Sequence, residues 1–361
     1  MSFVKDNDAY EAWLARQCDV VKEDIKLKHE EKMTDSAFSF LRATYFRWAR
    51  KIGSWCPELM DAPNVLAVGD LHLENFGTWR DEDGRLVWGV NDFDEAAVMP
   101  YTLDLARLVT SIQLAPRRHE DVNDKAAAKA VLKGYRQGLD SPQPALLFEG
   151  ETWLWDYALP DKGGPRRFWK EVDKYPKAKR PPDARIKRAL IESMPEGIDT
   201  KTIHMRTRQK GSGSLGRPRY VAVGYWRGGR VLREAKALVP SAWTWANGQK
   251  QESRLLDAAN GPYRAPDPLL DVRHKFIFRR IAGDAEKIEL GKKAGANIHL
   301  ELLRAMGFDL ASVHAASARS AGPIRKDLDK RPRGWLNKAA AIAATEVERD
   351  FHEWNKYMAQ R

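Results

Sequence analysis

Residues 208–238 read RQKGSGSLGRPRYVAVGYWRGGRVLREAKAL and contain an intact G-x-G-x-x-G, Gly211-Ser212-Gly213-Ser214-Leu215-Gly216. Such a run is a weak signal alone, so its flanks decide what it means. In a dinucleotide-binding fold the glycines open a helix. Here Pro218 leads into the alternation Tyr220, Val221, Ala222, Val223, which specifies a strand. Residues 202–208 alternate as well, and Gly228-Gly229 predicts a hairpin turn into a third strand over 231–238. The stretch therefore predicts a small antiparallel sheet with the glycines in its first connection and Lys236 on its third strand. The dinucleotide reading fails for want of its helix.

A second constellation lies upstream. Gly69-Asp70-Leu71-His72-Leu73-Glu74-Asn75 and Asn91-Asp92-Phe93-Asp94-Glu95 each follow a short apolar run, 65–68 and 86–90, of the kind that forms a strand. Any one of these Asp or Asn residues would ordinarily serve a turn backbone. Their combined spacing points further. Phosphoryl transfer is stabilised mainly by position and charge, so it needs a carboxylate beside the accepting hydroxyl and oxygen ligands for Mg2+. Asp70, Asn75 five residues on, and Asp92 on the next hairpin supply these groups, with Asp94 beside them. A glycine loop between two antiparallel strands, with a lysine on the third, is how a kinase covers ATP. On that reading Gly211, Ser212, Gly213, Ser214 and Gly216 cradle phosphate, and Lys236 meets the α- and β-phosphates. Glu252, on a helix expected over 246–259, is the expected ion-pair partner of Lys236, with Glu234 as another carboxylate nearby.

The remaining pattern is mostly helical. Apolar residues at helical spacing predict helices over 8–28, 36–51, 102–112, 124–138, 297–319 and 337–358, and a further strand within 275–281. Residues 161–182, rich in Gly and Pro, read as an exposed connection. The 361 residues, 43% hydrophobic and 31% charged, exclude a disordered or collagen-like chain and leave room for about two domains. Two cysteines, Cys18 and Cys56, make neither a disulfide framework nor a zinc site, so a cytoplasmic setting is the simplest expectation. No signal-like or membrane-spanning run is evident. The net charge of +11 is local in origin: residues 162–236 hold 21 Lys/Arg against 7 Asp/Glu. Such a segment favours anionic partners or a solvated surface.

On Gly69–Asn75, Asp92-Phe93-Asp94 and Asp104-Leu105-Ala106-Arg107-Leu108, the sequence resembles the aminoglycoside and choline kinase type of phosphotransferase. It also resembles a bacterial domain-of-unknown-function family through Lys32-Met33, residues 38–42, 69–77, 91–95, 211–216 and Glu234-Ala235-Lys236. The resemblance implies Asp70 as catalytic base or hydroxyl-orienting group, Asn75 and Asp92 as Mg2+ ligands with Asp94 assisting, and Lys236 as the phosphate-binding lysine. Asp104 would support the Asp70 loop. Two departures stand out. Val68 occupies the place where many such kinases have a His, and the glycine loop follows the Asp70 loop where those kinases place it first. Residues 302–317, including Val313-His314-Ala315, look like the helix that normally precedes the catalytic loop, so a circular permutation restores the usual order.

The resulting expectation is an α+β, two-lobed, protein-kinase-like fold, circularly permuted, with a small antiparallel β N-lobe and a mainly helical C-lobe. Residues 1–160 would begin the helical lobe and carry the catalytic loop and metal-binding hairpin. Residues 161–200 would form a basic connection, 201–290 the nucleotide lobe, and 291–361 the remaining helices. Both termini should lie on the helical lobe. The expected activity is ATP- and Mg2+-dependent phosphoryl transfer to a hydroxyl, on a small molecule rather than a protein. AMP transfer on the same fold is the first alternative. The second is a non-catalytic, basic nucleic-acid-binding or regulatory protein, drawing on Trp169, Tyr175 and Trp226.

Overall fold

In a computed structural model, the structure describes residues 2–116, 122–147, 149, 154, 164–177, 181–250, 252–283, 298–317 and 321–361. The alternation around the glycine loop becomes a five-stranded antiparallel sheet. Its strands are β6 (His204–Thr207), β7 (Arg219–Trp226), β8 (Gly229–Ala237), β9 (Asp271–Arg273) and β10 (Phe276–Arg280), in the order β6-β7-β8-β10-β9. The β7–β8 turn is Arg227-Gly228, with φ of 44° and 85°, one residue earlier than the sequence suggests. Two successive positive φ values are what a tight hairpin matching the strand twist demands.

Register sorts the side chains. Arg219 pairs with Lys236, Val221 with Glu234, Ile277 with Lys236 and Arg279 with Glu234, so these residues share one face. On that face Val221 and Leu232 pack beneath Val172 and Tyr175. The opposite face, Ala222, Ala235 and Phe278, is closed by Ile186 and Leu190 of the Ala184–Glu192 helix and by Met194 just after it. Residues 161–182 are therefore more than an exposed connection: Gly164–Asp173 is a helix, while 161–163 and 178–180 lie outside the described residues.

The rest is a helical body around one large apolar core. The expected first helix is two, Phe3–Gln17 and Lys22–Leu27, and the second passes through a π-helical turn, Lys28–Lys32, into Met33–Asp35. The expected 36–51 helix is also two, Ala37–Ala43 and Tyr45–Trp55, because Thr44 leaves helical φ/ψ and its hydroxyl bonds the Phe40 carbonyl at 2.7 Å. Tyr101–Gln113, Asp124–Asp140, Leu300–Ala315 and Trp335–Met358 form where apolar periodicity places them. Ala321–Lys330 is a further helix.

Two small sheets sit on this body. One pairs β1 (Asn64–Ala67) with β4 (Ala97–Pro100); the other joins β2 (Phe76–Arg80), β3 (Leu86–Val90) and β5 (Ala145–Leu146). The architecture is α+β. The first and last helices touch: the Phe3 amide donates to Glu353 Oε1 at 2.9 Å, and the Phe3 ring meets Trp354. Among the described residues no helix is long and apolar enough to cross a membrane.

Candidate active site

The Asp70 loop leaves β1 through Gly69, whose φ is +86°. A Cβ there would run into the Glu95 carbonyl and approach the Tyr45 hydroxyl at 2.9 Å, so only glycine fits. Buried Asp104 holds the loop's entry. Its Oδ2 accepts from the Val68 amide at 2.7 Å and its Oδ1 from the Gly69 amide at 2.9 Å. His314 Nε2 lies 3.0 Å from Asp104 Oδ2, and its Nδ1 is 2.8 Å from the Tyr135 hydroxyl. A histidine does anchor this loop, then, but it comes from the Leu300–Ala315 helix rather than from position 68. Further along, the Leu73 amide donates to Ser111 Oγ at 3.1 Å, and His72 Nδ1 accepts from the Glu74 amide at 3.2 Å. His72 is buried and braces the turn.

Asp70 is held by a group with no assigned role in the sequence reading. Arg107 donates to Asp70 Oδ1 from Nε at 3.0 Å and from Nη2 at 2.5 Å, and Nη2 also bonds the Leu41 carbonyl at 2.8 Å. Burial lifts the Asp70 carboxyl above its ordinary range; Arg107 opposes this and the Asp92 charge reinforces it. The Asn75 amide donates to the Asp70 carbonyl, which leaves its side-chain oxygen as the donor available to a cation.

Residues 91–96, expected as a hairpin, form a loop from β3 to β4, which lie in different sheets; from it Asp94 pairs with the Lys236 ammonium and Asp92 Oδ1 lies 3.8 Å from it. Lys236 is 141 residues away in sequence from Glu95, at the end of that loop, and belongs to the five-stranded sheet. The sheet and the helical body also meet at Glu95. Arg217 donates to Glu95 Oε1 at 2.6 Å and lies 3.5 Å from Asp94, while the Ala242 amide bonds Glu95 Oε2 at 2.6 Å.

On the sheet, Glu234 is fully buried beneath three guanidinium groups. Arg208 stands at 2.9 Å, Arg219 at 3.4 Å and Arg279 at 2.7 Å, and together they hold its carboxyl well below the usual range despite burial. The glycine loop folds down onto the helical body. Gly213 is so close that a Cβ would lie 3.0 Å from the Arg42 carbonyl and 3.2 Å from Asp70 Oδ2. Ser214 Oγ accepts from Arg219 at 2.9 Å, Gly211 and Ser212 line the same cavity, and the Gly216 carbonyl accepts from the Val21 amide at 2.9 Å. The cavity measures about 1500 Å3, and Asp70, Asn75, Asp92, Asp94, residues 211–215 and Lys236 all open onto it.

Residues 20–145 match the model of a family described as an uncharacterized protein conserved in bacteria, DUF2252. That segment carries the Asp70 loop and the Asp92–Asp94 loop but not the glycine loop or Lys236. No curated protein and no solved structure matches the chain.

One expected partner does not arrive. Glu252 is exposed, lies outside any helix and pairs with Lys250 at 2.5 Å, while Lys236 takes Asp94 instead. The expected 246–259 helix is broken into Ala242–Ala246 and Leu255–Ala259 by Asn247 and Gly248, the latter at φ +63°. The break carries Glu252 outward. Trp169, Tyr175 and Trp226 are engaged within the protein: Arg230 stacks on Trp169 at 4.3 Å, Tyr175 is buried, and Trp226 bonds the Glu196 carbonyl at 3.2 Å.

Among the described residues no three His, Cys, Asp or Glu side chains converge as a preformed metal cluster. Asp92, Asp94 and the Asn75 oxygen nevertheless suit Mg2+, a hard cation that takes one or two protein carboxylates and completes its shell with phosphate and water. Arg107, Glu95, Arg217 and Lys28 were missed by sequence reasoning. Arg107 had a usable signal, since three residues after Asp104 on a helix it shares that face.

Proposed function

We propose that the protein is an ATP- and Mg2+-dependent phosphotransferase of kinase-like, circularly permuted architecture, transferring the γ-phosphoryl group to a hydroxyl of a small molecule. The observation that carries this reading is the meeting of distant segments in one cavity: Lys236 on the third strand reaches Asp94 and Asp92, and the glycine loop lies against Asp70. The contact between the Phe3–Gln17 and Trp335–Met358 helices supports the permutation, because joining them puts the His314 helix ahead of the Asp70 loop.

Asp70, fixed through Oδ1 by Arg107, orients the acceptor hydroxyl and takes its proton. Its raised pKa makes it a stronger base than an ordinary carboxylate. Lys236 and the loop amides neutralise phosphate charge. Asn75, Asp92 and Asp94 would hold Mg2+, which supplies charge neutralisation at the β- and γ-phosphates. The test is a thermal-shift titration with ATP and Mg2+, followed by transfer assays with ATP labelled at the α- or γ-phosphate. Mg-ATP should raise the melting temperature of the wild type, with γ-label passing to the acceptor, and Asp92→Ala should lose transfer while staying folded. Failure of Mg-ATP to bind, or normal turnover by Asp92→Ala, overturns the assignment; transfer of α-label marks an AMP transferase.

A further inference from the structure

Among the described residues, one buried cation in the cavity wall has no ion pair of its own. Lys28 begins the π-helical turn Lys28–Lys32, is 2% exposed, and lines the cavity that contains Asp70. Helices depart from i→i+4 bonding in this way mostly where a side chain must be re-aimed, frequently at functional sites. Among the described residues the Lys28 ammonium has no ion pair or hydrogen bond, and its recorded neighbour is the Phe46 ring at 5.8 Å. The carboxylates around it are taken. Glu11 is bonded to His29 at 2.6 Å, Asp70 to Arg107, and Glu95 to Arg217, whose guanidinium adds a like charge near Lys28.

A largely buried ammonium without an ion pair is costly, and this one, in the cavity wall, is placed to meet an anion that enters the cavity. We propose that Lys28 anchors an anionic group, a carboxylate or phosphate ester, carried by the acceptor, so that the substrate is an anionic hydroxyl compound whose hydroxyl is presented to Asp70. This rests on the phosphotransferase reading for the word acceptor; the anion site itself does not. Burial lowers the Lys28 pKa to about 8, so near neutral pH the group is still mostly charged. A bound anion would restore its charge preference.

Inorganic phosphate is the probe. The full-length protein, labelled with 15N-lysine, is titrated with pH in the presence and absence of phosphate, with ADP and Mg2+ saturating, and the Lys28 signal is assigned by its loss in Lys28→Met. The midpoint of the Lys28 titration should move upward with phosphate. Phosphate affinity should fall on the order of ten- to a hundredfold in Lys28→Met, and in the wild type it should weaken as pH rises past about 8. A midpoint that phosphate leaves in place, equal affinity in the variant, or displacement of the phosphate by ADP refutes the proposal. The two readings separate cleanly: if phosphate shifts Lys28 but Mg-ATP does not bind, the phosphotransferase falls and the anion site stands. Should Lys28→Met misfold, Lys28→Arg, which keeps the charge and removes the lysine signal, supplies the assignment, and the wild-type titration decides.

Discussion

Replacing Lys28 by Met should make the protein more stable, and the size of the gain follows from its surroundings. The side chain is 2% exposed, and burial lowers its pKa from 10.5 to about 8. At 1.36 kcal/mol per pKa unit, this difference corresponds to roughly 3 kcal/mol of disfavour for the charged form in the folded state. The sign is fixed by proton counting. Below about pH 8 both folded and unfolded states carry the proton, and the folded state bears the whole cost. Between about 8 and 10.5 the folded state has released the proton while the unfolded state still holds it, so stability rises with pH. Above both values the cost is gone. Methionine has nearly the same shape, no charge, and a sulfur suited to the Phe46 ring. The variant should therefore gain up to roughly 3 kcal/mol near neutral pH, which for a chain of this length raises the melting temperature by about 4 °C.

The assay is urea or thermal unfolding of both proteins near pH 7 and again near pH 10, with the difference between them as the readout. Taking that difference removes the other lysines, tyrosines and cysteines that titrate in the same range. A large gain at neutral pH that shrinks at alkaline pH is the expected outcome. Equal or lower stability of Lys28→Met near neutral pH, or a gain that does not change with pH, would refute the claim that an unpaired buried ammonium sits there. A more stable variant that no longer binds phosphate would be a stability–function trade-off at a single atom.

Two further changes probe the cleft. Glu234→Gln leaves Arg208, Arg219 and Arg279 facing a neutral group and should cost about 3–5 kcal/mol by urea unfolding. Because the folded-state pKa of Glu234 is depressed, its contribution is present above the ordinary carboxylate pKa and lost as pH falls below it, so the variant should show a flatter acid limb than the wild type. Identical acid limbs would count against the cluster. Gly213→Ala places a methyl group 3.2 Å from Asp70 Oδ2 and should cut turnover about tenfold or more while changing stability by about 0.5 kcal/mol or less. Unimpaired turnover would mean that the loop lifts away from Asp70 during catalysis.

What could be read from the sequence were the features whose signal is local. Strand alternation in 219–238, the glycine run and the apolar faces of the long helices each declare themselves within ten to twenty residues, and those elements form. The loops carrying Asp70 and Asp92 were legible because turns leave few roles for such a density of Asp and Asn. Glu252 was misplaced because Asn247-Gly248 ends a helix that apolar spacing alone continues. The Gly164–Asp173 helix was hidden by glycines and prolines around it, although its apolar face is spent under the sheet. The ion pairs were not legible at all. Arg107 with Asp70 and Arg217 with Glu95 join residues 37 and 122 positions apart, and sequence carries no marker for which of 61 basic residues meets which carboxylate.

Those pairings bear on where anions can settle. Asp70, Glu74, Asp94 and Glu95 are each matched by a cation, Arg107, Arg42, Lys236 and Arg217 respectively. A polyphosphate offered to such a neutralised surface would gain little by direct attraction. Among the described residues of the cavity, positive charge exceeds negative around Glu234 and at the π-helical turn. Around Glu234 three arginines share one carboxylate, on the same sheet face as Lys236 and against the glycine loop. At the π-helical turn Lys28 has no ion pair of its own and feels the charges of Glu11, Asp70 and Glu95 at a distance. On the proposed function, the first excess would suit the nucleotide, the most highly charged ligand, and the second a singly or doubly charged acceptor, one on either side of the Asp70 carboxylate. On the proposed function, Mg2+ held by Asp92 and Asp94 would compete with Lys236 for the Asp94 carboxylate and leave the ammonium free to meet phosphate. Nucleotide and metal should therefore bind with positive cooperativity, which an Lys236→Met variant would abolish and an Lys28→Met variant would keep.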